Sequence, residues 1–484
     1  MGAQTQNQNG GARAVKWAML DRFSGQLIQL ISTLVLARLL SPKDFGLVGI
    51  LYIFLSVSSA LVDSGMAGGL IRKKELSEQD TSTFFFFNIT TAFFCYGCIF
   101  FTAPMIARFY GEPSLLGLSR LLSLAIITSS LGLLQRVLLI RSLKLKQVTR
   151  ASLYSSLAAT FLGMGCAWAG LGIYSLVIML LTQSSINTLL LALATRWRPA
   201  WTFSWQSLRE FFSFGFSLML TALLNIGFAN IYQPLIGRYY SLSYAGFYYQ
   251  AKRLYEVPIL SLSQVVDSVS YPILVRYQQD RKGLELRYRQ IFSSLIFLAA
   301  PLVVLISVLS EDIVRLLLGE KWLFSAHLLS ILSLGGIFQV LETTSGSLLK
   351  VEGRTKLIFR LELIKKGVIL MSILSVYALG IAALMWAIVL SSVLSFIINQ
   401  CFTSIRPLGY GSLFLVLINA GCMGVVAKFA SGLLAVPALS ISFTLGVSLG
   451  CYALLGHLFN LPEQKIVRSM IQWPKSWRKS PLPL

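Results

Sequence analysis

Arg22, Gln26, Gln29 and Thr33 fall at i, i+4, i+7 and i+11 within an apolar stretch. On a helix that spacing sets one cation, two amides and a hydroxyl along a single face about three turns long. A charge at membrane depth costs about 2.5–3.5 kcal/mol on insertion scales, so such a guanidinium faces a water-filled cavity or a partner. Ser213, Ser217, Thr221 and Asn225 repeat every four residues in a later stretch and make a comparable stripe. Side chains of this kind either line a hydrated cavity or hydrogen-bond across packed helices. For Arg22 with its two glutamines the cavity is the better reading; for the second stripe alone, helix packing serves slightly better.

A third apolar stretch holds Lys252, Arg253, Glu256 and Asp267. Lys252 and Glu256 are spaced to pair across one helical turn. Arg253 then remains for an anion and Asp267 for a cation or proton, with a structural pair as the alternative for each. Asp63 and Glu342 are further ion-coupling candidates, although Asp63 could simply balance Arg72 or Lys73. Glu362, with Lys365 and Lys366 within a turn, reads as the cytoplasmic mouth of its span. The chemistry these types suit is recognition of a phosphate or pyrophosphate headgroup bearing sugars. Arginine gives planar bidentate donors and lysine a point charge, while Gln, Asn, Ser and Tyr meet sugar hydroxyls.

The elements that must position these residues follow from hydropathy. The 484-residue chain is 55% hydrophobic and 12% charged, with a mean hydropathy of +0.72. At about 20 residues per span it divides into about fourteen apolar helices. The Lys and Arg residues crowd alternate gaps, roughly 25 against about 6, which by the positive-inside rule sets both termini in the cytoplasm. The net charge of +22 therefore calls for anionic membrane lipids and not for nucleic acid. The span holding Pro258 is long enough to be kinked or broken there.

The two halves echo one another. Arg38-Leu-Leu-Ser41-Pro-Lys-Asp-Phe-Gly46 recurs as Arg238-Tyr-Tyr-Ser241-Leu-Ser-Tyr-Ala-Gly246. Arg108-Phe-Tyr-Gly111-Glu112 recurs as Arg315-Leu-Leu-Leu-Gly319-Glu320, and Leu121-Leu-Ser123 as Leu328-Leu-Ser330. The expected organisation is a flexible cytoplasmic segment 1–14, six-helix lobes over 15–200 and 201–408, an appended pair of helices over 409–460, and a basic tail 461–484. Both lobes enter from the same side, so they are parallel repeats about an axis along the membrane normal, with a site between them.

Several chemistries fall away. No GxxxxGK[ST] stretch is present, so this chain is not expected to hydrolyse ATP. Cys95 and Cys98 form a CxxC among Phe and Ile, without two further ligands, and read as lipid-buried small residues. No metal, cofactor or catalytic residue is expected.

With those residues in view, the chain resembles the polysaccharide-transporter branch of the multidrug/oligosaccharidyl-lipid/polysaccharide exporter superfamily, and within it the colanic- and teichuronic-acid exporter type. The resemblance rests on Ala37–Val48, Leu61-Val-Asp-Ser-Gly65, Gly69–Lys74, Ala107–Pro113, Trp197-Arg-Pro199 and Leu235-Ile-Gly237, and covers about the first 400 residues. It implies a lipid-linked oligosaccharide flippase of the bacterial cytoplasmic membrane. Such a protein passes polyprenyl-pyrophosphate-linked repeat units outward by alternating access, for exopolysaccharide, O-antigen or capsule assembly. A polysaccharide polymerase and a chain-length regulator are the protein partners it implies. Relatives often carry an acid in the seventh span where this chain has Tyr232 and Gln233. Two other readings compete. An ion-coupled multidrug or small-cation exporter of the same superfamily should lack the buried cations, and a membrane polymerase or ligase should have a large outer loop with catalytic Arg and His.

Overall fold

Serine-led helix starts recur along the chain. Ser41 precedes α2 (Pro42–Asp63): its hydroxyl accepts from the Asp44 amide at 3.3 Å, and Asp44 Oδ2 accepts from the Ser41 amide at 2.9 Å. Ser77 and Asp80 form the same reciprocal box at the start of α4 (Glu78–Tyr110). Each box satisfies two amides that the helix cannot. Ser241 likewise accepts from the Tyr244 amide, so the serine repeated with Ser41 starts a helix in both copies. Gly111, at φ 66°, closes α4 in the left-handed conformation that glycine adopts without penalty.

The computed structural model describes residues 24–405, 410–431, 433 and 437–458, without the side chains of 265–269, 355, 410–414, 437–439 and 458. The expectations for segments 1–14 and 461–484 lie outside the described residues. All regular structure among the described residues is helical. Nine stretches among them are long and apolar enough to cross a bilayer. The chain divides into two compact units, Met1–Tyr249 and Gln250–Leu484.

The first unit contains α1 (Ser24–Leu39), α2, α3 (Met66–Arg72), α4, α5 (Ser114–Arg141), α6 (Leu145–Trp168), α7 (Tyr174–Thr195), α8 (Trp205–Asn230) and α9 (Tyr232–Tyr239). The start of α10 (Leu242–Arg276) also belongs to it. The stretch read from sequence as one second span is interrupted: Ser64 and Gly65 both take positive φ and separate α2 from α3. At that break α8 comes so close that a Cβ on Gly65 would collide with the Gly215 carbonyl, and one on Gly215 with the Ser64 carbonyl. Arg141 at the end of α5 donates to the Leu70 and Lys74 carbonyls at 2.7 and 2.6 Å, tying down the chain as α3 ends.

The second unit holds the remainder of α10 and then α11 (Arg281–Val308), α12 (Ser310–Leu317) and α13 (Leu323–Val351). It continues with α14 (Thr355–Val376), α15 (Ile381–Phe402), α16 (Tyr410–Ser431) and α17 (Pro437–Leu458). α10 runs as one helix through Pro258 and Pro272, where the sequence allows a break. Arg360, Glu362, Lys365 and Lys366 keep α14 out of the set of nine. The last two helices are no loose appendage. Val416, Ala420, Met423, Ala427 and Tyr452 are buried in the same core as Phe292, Val340 and Leu348. Tyr452 donates to the Phe297 carbonyl at 3.0 Å, and Asn419 donates to the Tyr452 carbonyl.

Candidate functional site

Within the first unit, α2, α5, α6, α7 and α8 surround a cavity of about 720 Å³. From α2 come Tyr52, Ser56, Ser59 and Asp63, at the i, i+4, i+7, i+11 spacing that gives one face. α5 adds Ser129 and Arg136, α6 Ser152 and Ser155, and α7 Gln183, Ser184 and Asn187. Eleven of the eighteen lining residues are polar, and only two of them carry formal charge. Gln183 donates to Ser156 at 3.2 Å, and Ser184 shares a 2.7 Å hydrogen bond with Thr128, so parts of this wall are held in place by their own neighbours.

Asp63 belongs to this cavity. Its Oδ1 is buried with no hydrogen-bond partner. The balancing role open to Arg72 or Lys73 is not what the structure shows. Arg72 lies over the Phe214 ring at 4.7 Å, while Lys73 pairs with Asp80 at 3.1 Å and Glu210 at 3.2 Å. Arg136 makes no ion pair with a described residue. The cavity thus holds one acid and one base, neither paired within salt-bridge distance among the described residues. Arg136 escaped the sequence reading although it is a charge within an apolar stretch. The Tyr52–Asp63 face has the same spacing as the Arg22–Thr33 face and could have been found by it.

The other candidates are dispersed. Arg22 lies outside the described residues, and so does the side chain of Asp267. Gln26 and Gln29, on α1, are not among the residues lining the cavity, and Thr33 is buried with its hydroxyl bonded back to the Gln29 carbonyl at 2.7 Å. Asn225 is exposed on α8, between the lining residues Ala222 and Ile226. Gln233 is buried and donates to the Ala245 carbonyl at 2.9 Å, so it fixes the start of α10 instead of presenting a polar group.

In the second unit Lys252 and Glu256 lie 3.6 Å apart, the pair their spacing suggests. Arg253 points a buried Nε at no hydrogen-bond acceptor. Tyr255 donates to Gln339 on α13. Glu342, one turn further along α13, is in an ion pair with Lys365 of α14 at 2.6 Å. The Lys365 ammonium also contacts Glu362. Lys365 lies half-way along α14.

A family model described as polysaccharide biosynthesis protein matches residues 35–327, well over half of the chain. The chain belongs to this polysaccharide-transporter family. Among its relatives is the teichuronic acid biosynthesis protein TuaB of Bacillus subtilis, 26% identical over 80% of each chain. The lipopolysaccharide biosynthesis protein WzxC of Escherichia coli is 24% identical over 90% of this chain and 87% of that one. A solved structure of the lipid II flippase MurJ, in an inward closed conformation, shares the fold. It has a TM-score of 0.78 at 16% identity, covering 95% of this chain and all of that one. The polysaccharide-transporter family therefore supplies a multi-pass membrane setting for the cavity. Its motif residues acquire physical roles here: Ser41 and Asp44 start a helix, and Gly46 and Gly65 admit close-packed backbones.

Proposed function

We infer that this protein is a flippase for polyprenyl-pyrophosphate-linked oligosaccharide repeat units, moving them across the bacterial cytoplasmic membrane by alternating access for surface polysaccharide assembly. In that setting its helices make fourteen spans, two six-span lobes and a final pair, with both termini cytoplasmic. The observation that carries the reading is the cavity between α2 and α8. It offers hydroxyls and amides from four helices, α2, α5, α6 and α7, with a single guanidinium, at a depth where an apolar cargo would need none of them. Its volume of about 720 Å³ falls within the usual range of ligand pockets and suits part of a glycan headgroup. Arg136, Arg253 and Arg22 are the donors for phosphate or acidic sugar. Asp63, Asp267 and Glu256 are the carboxylates at which an ion gradient could act. A small-cation exporter is disfavoured by Arg136 standing in the same cavity as Asp63.

Deletion of the gene in its native host is the test. The lipid-linked repeat unit should accumulate facing the cytoplasm while surface polymer disappears, and plasmid-borne wild type should restore it. Undiminished surface polymer in the deletion strain would refute the proposal.

A further inference from the structure

Lys365 is the eleventh of the 22 residues of α14, and its side chain is 6% exposed. Its ammonium lies 2.6 Å from Glu342 Oε1 on α13 and in contact with Glu362 Oε1 one turn away on its own helix. Lys366 stands 3.9 Å from the other Glu362 oxygen. α15 packs against both α13 and α14 and brings no charged residue, only the Cys401 thiol near its end. α11 presents Tyr288 to α13, its hydroxyl 3.3 Å from Ser345, and α10 presents Tyr255, bonded to Gln339.

Two carboxylates converging on one point, Glu342 24% and Glu362 42% exposed, repel each other, and a cation between them offsets the cost of keeping both ionised. Converging acidic oxygens are also how proteins hold a bare metal cation. Lysine suits the point because its ammonium is compact and has three donors on a flexible stem, enough to serve both carboxylates at once. We propose that Glu342 and Glu362 form a cation site that the Lys365 ammonium occupies in place of a solution ion, a counter-ion tethered to the chain. The proposal rests on the transporter reading, in which α13 and α14 lie in the bilayer, and it refines that reading. Glu342 is thereby removed from the carboxylates on which an ion gradient acts, leaving Asp63, Asp267 and Glu256. A tethered cation has a high effective concentration that free sodium must overcome, so the wild-type site is closed to exchange. With Lys365 and Lys366 the four groups sum to zero. Lys365→Met leaves one negative charge, which one sodium ion or one proton restores.

The test reads thermal unfolding of the purified full-length protein, with sodium titrated against choline at constant ionic strength. Wild type should respond equally to the two salts at this site. Lys365→Met should unfold at a temperature that rises with the logarithm of sodium concentration, and also on acidification, as expected when a ligand binds only the folded state. The double variant Lys365→Met/Glu342→Gln, with its charge balanced, should lose the sodium response. A folded Lys365→Met protein indifferent to both sodium and acid overturns the proposal. If Lys365→Met cannot be purified, wild type and Glu342→Gln decide. Sodium-specific stabilisation of wild type that disappears in Glu342→Gln means the carboxylates hold a solution ion despite the lysine, and sinks the idea; its absence supports it. No substrate enters these measurements, so their failure leaves the flippase reading standing, and the deletion test leaves this one.

Discussion

Gly46 and Gly246, partners in the internal repeat, meet face to face. A Cβ on Gly46 would collide with the Leu242 carbonyl and lie 3.1 Å from the Gly246 amide nitrogen. A Cβ on Gly246 would collide with the Pro42 carbonyl and lie 3.2 Å from the Gly46 nitrogen. The contact is reciprocal: residue 46 meets 242, and residue 246 meets 42. Two copies of one motif thus pack around a local two-fold relationship, each repeated serine starting the helix that brings its glycine to the crossing.

Alanine at either glycine should be strongly destabilising, because backbone carbonyls are the obstacle and cannot rotate away. Overpacking costs about 1–3 kcal/mol where side chains can yield, and the cost here should reach or exceed the top of that range. Gly227→Ala, with open space around it, is the control and should be neutral or better. Thermal unfolding of the purified variants measures this, and an unfolding temperature unchanged in Gly46→Ala would remove the close approach.

Arg136→Ala and Arg253→Ala should sharply reduce surface polysaccharide while membrane levels stay near wild type, and Arg22→Ala should do the same. Arg136→Lys should recover part of the activity, since charge is kept and the planar fork lost. Polymer output from lipid-linked precursors is the readout, with membrane abundance measured alongside. Normal output from Arg136→Ala would detach the cavity from transport.

Ser41→Ala and Ser77→Ala each open a capping box, exposing amides at the start of α2 and α4. Loss of a cap typically costs about 1 kcal/mol. Both variants should be less stable than wild type yet transport normally when folded. A transport defect larger than the fall in protein level would assign these serines more than a structural role.

Glu112, between α4 and α5, pairs with Lys43 at 2.7 Å. The hydrogen bond from Lys43 holds its carboxyl below the ordinary value near 4.5, against the opposing effect of burial and with help from Ser114. A depressed folded-state value means the contribution is complete above the ordinary value and lost as pH falls through the folded one. Half of the Lys43 side chain is exposed, so less than about 1 kcal/mol is at stake. Unfolding temperature should therefore fall faster on acidification below pH ~4.5 in wild type than in Glu112→Gln. Parallel curves would show that the pair contributes nothing.

Hydropathy and charge asymmetry made the helical membrane class legible, because lipid imposes one solvent on every span. The kinship of the Ser41–Gly46 and Ser241–Gly246 motifs was legible too, since helix caps and glycine crossings demand particular residues at particular offsets. The cavity was only partly so. Asp63 stood out as a charge in an apolar stretch, whereas Ser56, Ser59, Ser152 and Ser155 look like ordinary helix-packing serines until five helices place them around one space. Nor could spacing tell that Glu342 faces Lys365 on another helix, because that pairing depends on how α13 and α14 are rotated.

The burial of Tyr452 beside Phe297 bears on how such a chain can be shortened. The matched family region ends at residue 327, and a truncated chain stopping before α16 would still carry both copies of the repeat. It would nonetheless uncover the α11 surface against which Val416, Ala420 and Met423 pack, and leave the Phe297 carbonyl without its donor. The last two helices are therefore a part of the scaffold that neither evolution nor the protein engineer can discard without repacking the unit they close.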